Sequence, residues 1–152
     1  MKTFLLFAIL AVTLALSACD TKKGTPVLYP NACEAANEKK YIEVVGVLDA
    51  KGSVFCSNIG GGPVRCGFSL LQNESDTKGF SVDIAQDGFS NAVEKFRDGY
   101  QKKEIMVHDD NGSVFGIPQR VRLVGQMSVQ KNPASPQNDV CFMTVTKIEQ
   151  VK

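Results

Sequence analysis

Few residues of this chain are of a type and spacing suited to chemistry. The single histidine, His108, stands directly before Asp109 and Asp110. A histidine beside carboxylates can act as a general base or a metal ligand. No second histidine is present, and Asp109-Asp-Asn-Gly112 has turn composition, so a solvated strand end is the expected role. The same residues lack the alternating acids and closing glutamate of an EF-hand loop. Gly60-Gly-Gly62 can turn backbone amides toward an anion, but neither the lysine nor the helix of a phosphate-binding loop follows. No G-x-S-x-G is found, and Asp83 and Asp87 read as the polar face of a strand and a turn. The chain is expected not to be an enzyme and to take no cofactor or metal.

Cysteine is the other reactive residue type. Cys33, Cys56, Cys66 and Cys141 follow Cys19 along the chain. Four cysteines in an exported domain read as two disulfides. No C-x-x-C pair is present to suggest structural zinc. Cys56–Cys66, closing a short glycine-rich loop, and Cys33–Cys141, tying the start of the domain to its last strand, are favoured. Cys66–Cys141 is the main alternative, since both begin strands that can pair.

These residues are carried by elements of mainly β character. Residues 41–48 (Tyr-Ile-Glu-Val-Val-Gly-Val-Leu) are dense in β-branched and aromatic types, with Gly46 inside. Much of that pattern returns at residues 121–127 around Gly125. A glycine inside a strand marks a bend or a close backbone approach. Further strands are expected at 53–57, 64–71, 79–86, 104–108, 114–117 and 141–151. In the last, Met143 and Val145 share a face with Ile148 after a slip. Phe80, Val82 and Ile84 alternate with polar neighbours, as in a half-buried strand. Asn31 with Glu34 and Asn91 with Glu94 have capping-box spacing, which predicts short helices over 31–39 and 91–100.

The N-terminus carries an address. Lys2, an apolar run from Phe4 to Leu16, then Ser17 and Ala18 have the build of a secretory signal. The run is shorter than the roughly 20 apolar residues of a membrane span. Leu16-Ser17-Ala18-Cys19 resembles the lipobox of bacterial lipoproteins. That resemblance implies removal of residues 1–18 and lipidation of Cys19 by diacylglycerol and a further acyl chain such as palmitate. Each buried methylene would add about 0.8 kcal/mol of anchoring. Asp20 resembles the signal that retains such proteins in the inner membrane, with the outer membrane as the other destination. Residues 19–30 then read as a tether, and residues 31–152 as the domain.

Without residues 1–18 the chain has 16 basic and 16 acidic side chains. No net positive charge remains to attract nucleic-acid phosphates, so nucleic acid is an unfavoured partner.

The order of strands, with one helix between the third strand region and the last two, resembles the OB-fold, a five-stranded coiled Greek-key barrel. More narrowly, residues 39–48, 120–125 and 141–149 resemble small bacterial lipoproteins whose OB-type domains are similar to anticodon-binding modules. A lipocalin-like barrel or a β-sandwich competes, because the disulfide loop and residues 101–118 exceed a minimal barrel. The resemblance implies a ligand surface over the second and third strands, drawing on Arg65, Phe68 and Asn58, with Phe68 also suited to the core. Arg120 and Arg122 add a small basic stripe, or simply an exposed strand face. The expected function is a membrane-anchored periplasmic module that binds a protein partner or an envelope glycan. The alternatives are an inhibitor of an envelope-attacking hydrolase such as lysozyme, and capture of single-stranded nucleic acid.

Overall fold

The computed structural model describes residues 23–136 and 139–152; the segment expected to be a signal, residues 1–18, together with Cys19 and Asp20, lies outside the described residues. The strands in chain order are β1 (Thr25–Pro26), β2 (Tyr41–Asp49), β3 (Cys56–Ser57), β4 (Arg65–Leu71), β5 (Phe80–Gln86), β6 (Ala92–Val93), β7 (Met106–His108), β8 (Val114–Gly116), β9 (Gln119–Gln130) and β10 (Val140–Gln150). Five of them close into a barrel: β2 pairs with β4, β4 with β5, β5 with β10, β10 with β9, and β9 with β2. All these pairings are antiparallel except β5 with β10. Numbered along the chain, the barrel strands run first, second, third, fifth, fourth and back to first. This is an OB-type barrel.

Side-chain alternation places the core. Cys66, Phe68 and Leu70 of β4 and Val82 and Ile84 of β5 point inward, as do Val121, Leu123, Met127, Met143 and Ile148. The period of two survives a bulge between Val145 and Lys147, which returns Ile148 to the interior. Both interior glycines sit where strands press together. A Cβ on Gly125 would lie 2.5 Å from the Met143 side chain and from the Thr144 carbonyl, and one on Gly46 would lie 2.6 Å from the Leu71 carbonyl.

The two helices expected from capping-box spacing are absent. Residues 31–39 form 3-10 turns at Tyr29–Asn31 and Ala35–Asn37. Across 91–100, Ala92 and Val93 are extended and buried, pairing in parallel with the end of β5 and antiparallel with β7. Asn91 has a positive φ of 52° and caps no helix. Its Oδ1 accepts from the amide of Ile148 at 2.7 Å, beside the bulge of β10. Burying Val93 in a sheet outweighed the local helix signal, and β6, β7 and β8 form a lateral sheet where the helix was expected.

Part of the span expected as a tether, residues 19–30, is packed on the barrel instead. β1 pairs with β2, Tyr29 donates its hydroxyl to the Leu70 carbonyl at 2.7 Å, and Ala32 is fully buried. Both favoured disulfides are formed, Cys33–Cys141 and Cys56–Cys66. No helix among the described residues is long and apolar enough to cross a membrane.

Candidate ligand-binding groove

The outward positions of β4 and β5 are Arg65, Gly67, Ser69, Ser81 and Asp83, since their neighbours fill the core. Residues 50–63 fold back across this face and enclose a groove of about 550 Å³. Ser69, Ser81 and Asp83 line it opposite Val54, Phe55 and Pro63. Gly67 keeps the floor open, because the nearest atoms to a Cβ there are 3.8 Å away.

The covering loop is held from several directions. Cys56 and Cys66 are directly opposed across β3 and β4, with their Cα atoms 4.0 Å apart. The amide of Gly67 donates to the Phe55 carbonyl at 3.0 Å, and the amide of Val54 donates to the Tyr100 hydroxyl at 2.5 Å. At the start of the loop, buried Asp49 accepts from the amide of Ala50 at 2.8 Å and pairs with Lys51 and Lys102. The ring of Phe55 nevertheless stands 76% exposed. A second, smaller cleft lies on its other flank, lined by Lys95, Phe96 and Tyr100. Phe55 is therefore an exposed aromatic ridge, on a held backbone, between two clefts.

Arg65 spans the groove floor and the barrel seam. Its Nη2 donates to the carbonyls of Asp83 at 2.7 Å and Val145 at 2.9 Å. Its Nε is buried with no hydrogen-bond partner among the described residues. Burial pushes the Arg65 guanidinium below its ordinary pKa, while the Asp83 charge pulls it back up. Burial likewise raises the Asp83 carboxyl, with Arg65 opposing. Both charged groups are thus only partly hydrated and face the same groove.

The expected surface residues do not assemble into one site. Arg65 lines the groove, but its Nη2 is committed to two main-chain carbonyls. Phe68 borders the groove yet is buried in the core. Asn58 is exposed on the loop beyond β3 and is not part of the groove lining. Arg120 lies on β9 beside a separate cleft with Tyr29, Glu43 and Val45. Arg122 does not extend a basic stripe, because Glu43 at 3.3 Å and Glu149 at 3.1 Å neutralise it. Lys147 joins this network through Glu149 at 2.6 Å and Asp110 at 3.5 Å. The hydrogen bond from Lys147 holds the Glu149 carboxyl low, and the same bond raises the Lys147 ammonium.

His108 and its acids are structural rather than a solvated end. The His108 ring meets Glu94 at 2.8 Å. Asp109 is buried and accepts from the amides of Asn111 and Ser113 and from the Gln150 side chain. Among the described residues no three histidine, cysteine or acidic side chains are grouped as metal ligands.

Phe55 and Ser69 carry no functional motif in the sequence, and Ser81 and Asp83 show there only as the polar face of a strand. One signal was available: once Cys56 turns toward Cys66, period-two alternation turns Phe55 away from it. The fold and groove define an OB-type barrel with a ligand-sized cleft on its second and third strands. Comparison of the chain with protein-family models, characterised proteins and solved structures gives no match.

Proposed function

We propose that this chain is a lipid-anchored periplasmic binding protein whose groove over β4 and β5 receives a glycan of the cell envelope. The observation that carries this reading is Phe55: an exposed ring on a backbone fixed by Gly67, Tyr100 and the Cys56–Cys66 bond. A sugar ring has an apolar C–H face and a rim of hydroxyls. The phenyl ring would pack on the first, and Ser69, Ser81 and Asp83 would hydrogen-bond the second. A pre-ordered platform avoids the cost of ordering a loop on binding. The anchor follows from the resemblance of residues 16–19 to a lipobox, and Asp20 favours the inner membrane.

Titration of the protein with soluble peptidoglycan fragments in a calorimeter tests the reading. Saturable binding that falls at least about ten-fold in Phe55→Ala is expected, a loss of roughly 1.4 kcal/mol. Binding unchanged by that substitution would refute the assignment of the groove.

The same exposed ridge supports a second reading, insertion of Phe55 into the substrate cleft of an attacking hydrolase. Inhibition of lysozyme by the wild-type protein, lost in Phe55→Ala, would favour it. Equal lysozyme rates with and without the protein would end it.

A further inference from the structure

The first described residues, at the start of β1, bring together lysines that no ion pair among the described residues absorbs. β1 runs parallel to β2 with Thr25 opposite Ile42, so continuing the register brings Lys23 level with Lys40. The chain is pressed to the barrel there, since a Cβ on Gly24 would lie 2.6 Å from the Ile42 backbone. Lys23, Lys39 and Lys40 are all exposed, and none has a side-chain partner among the described residues. Nearby acids are largely committed: Glu38 accepts from the Val129 amide at 2.5 Å, and Asp139 pairs with Lys131 at 3.0 Å. Glu34 is the remaining exposed acid of that segment.

Lys39 is also held in an unusual conformation. Its φ is +60°, a region that side chains other than glycine, asparagine and aspartate rarely adopt. Its amide donates to the Met127 carbonyl at 2.9 Å, and its carbonyl accepts from Gln126 at 3.2 Å. β9 thus fixes a strained turn that carries two adjacent outward lysines. Such strain is retained where the surrounding structure over-determines it, often for function.

We infer that Lys23, Lys39 and Lys40 form a membrane-facing collar that contacts the phosphates of anionic phospholipid headgroups. The inference rests on the proposed anchor at Cys19. Cys19 lies four residues before Lys23, a reach of at most about 14 Å, so a lipidated Cys19 holds this pole at the headgroup level. The groove begins beyond Asp49, at the other end of the nine-residue β2. At about 3.3 Å per residue that is roughly 26 Å further out. The collar therefore orients the barrel with its groove away from the bilayer.

The test uses the full chain, matured in a bacterial host and reconstituted into phosphatidylcholine vesicles with or without phosphatidylglycerol. Lysines are labelled with a membrane-impermeant amine reagent and located by mass spectrometry. Lys39 and Lys40 should label about five-fold more slowly in the anionic vesicles, matching the attraction of one lysine to such a surface. Lys103, beside the Lys102 partner of Asp49 at the far end of β2, should label equally in both. High salt should remove the protection. Equal labelling of Lys39 and Lys40 in both vesicles, with Cys19 lipidated, overturns the collar alone. An unmodified Cys19 in the same spectrum overturns the anchor and the collar with it.

Discussion

Arg65 and Val145, 80 positions apart, are joined by a 2.9 Å hydrogen bond from the guanidinium of one to the carbonyl of the other. The bond lies where the parallel pairing of β5 and β10 ends, after Asp83 and Thr144. Beyond that point the strands no longer satisfy each other, and Arg65 supplies donors to carbonyls on both. The two N–H groups of Nη2 reach both carbonyls from the end of a rigid, pre-organised guanidinium, whereas a lysine ammonium must be held there on a flexible four-carbon stem. Arg65→Ala should therefore cost about 2–3 kcal/mol, with Arg65→Lys recovering only part. Urea unfolding midpoints of the two variants check this; a lysine variant as stable as wild type would contradict it.

The glycine contacts give a sharper stability test. Gly125→Ala drives a methyl group into Met143 and the Thr144 carbonyl, so a loss of about 1–3 kcal/mol or more is expected. Gly99→Ala, with nothing within 4 Å of its Cβ, meets only the strain of a positive φ. Thermal melts should rank Gly125→Ala as the more damaging.

The disulfides should differ in worth because their loops differ. Cys33 and Cys141 are separated by 108 residues and Cys56 and Cys66 by 10. Chain entropy gives about 5 kcal/mol for the long loop and about 3 kcal/mol for the short one. Pairwise serine replacement followed by denaturant unfolding measures both. Loss of the short bond should additionally weaken the proposed glycan binding, since it helps hold the backbone of Phe55.

Asp109 supplies the pH dependence. Burial pushes its carboxyl up, but hydrogen bonds from Gln150, Ser113 and Asn111 more than offset this and leave it below the usual range. A carboxyl whose folded pKa lies below its unfolded value stabilises fully above the unfolded pKa. That contribution is lost as pH falls through the folded value. Asp83 has the opposite sign, because burial raises its folded pKa, so its ionisation costs stability as pH rises through that raised value. Asp109→Asn should flatten the acid limb of a stability–pH curve, and Asp83→Asn should steepen it by removing the opposing group. Denaturation midpoints across the acidic range read both slopes.

The barrel was legible because its strands obey a period of two and its two glycines mark real backbone contacts. The slip before Ile148 was visible for the same reason. The segment at 91–100 misled because Asn91 and Glu94 fit a helix start, whereas buried Ala92 and Val93 are claimed by β5 and β7. A local spacing cannot reveal a partner strand elsewhere in the chain. The groove was only half legible. Arg65 alternates with Cys66 and Phe68 and so reads as outward, but the roof depends on residues 50–63 folding over β4 and β5, and the Tyr100 hydroxyl that holds Val54 comes from a segment whose spacing fits a helix.

The bond between Cys33 and Cys141 has a further consequence. It joins Cys33 near the start of the body to Cys141 in its last strand, enclosing residues 34–140, and with them the whole groove, within one covalent ring. A protease that cuts once anywhere inside that ring opens the backbone but releases no fragment. In a compartment exposed to peptidases, the protein would persist as a nicked, still assembled unit.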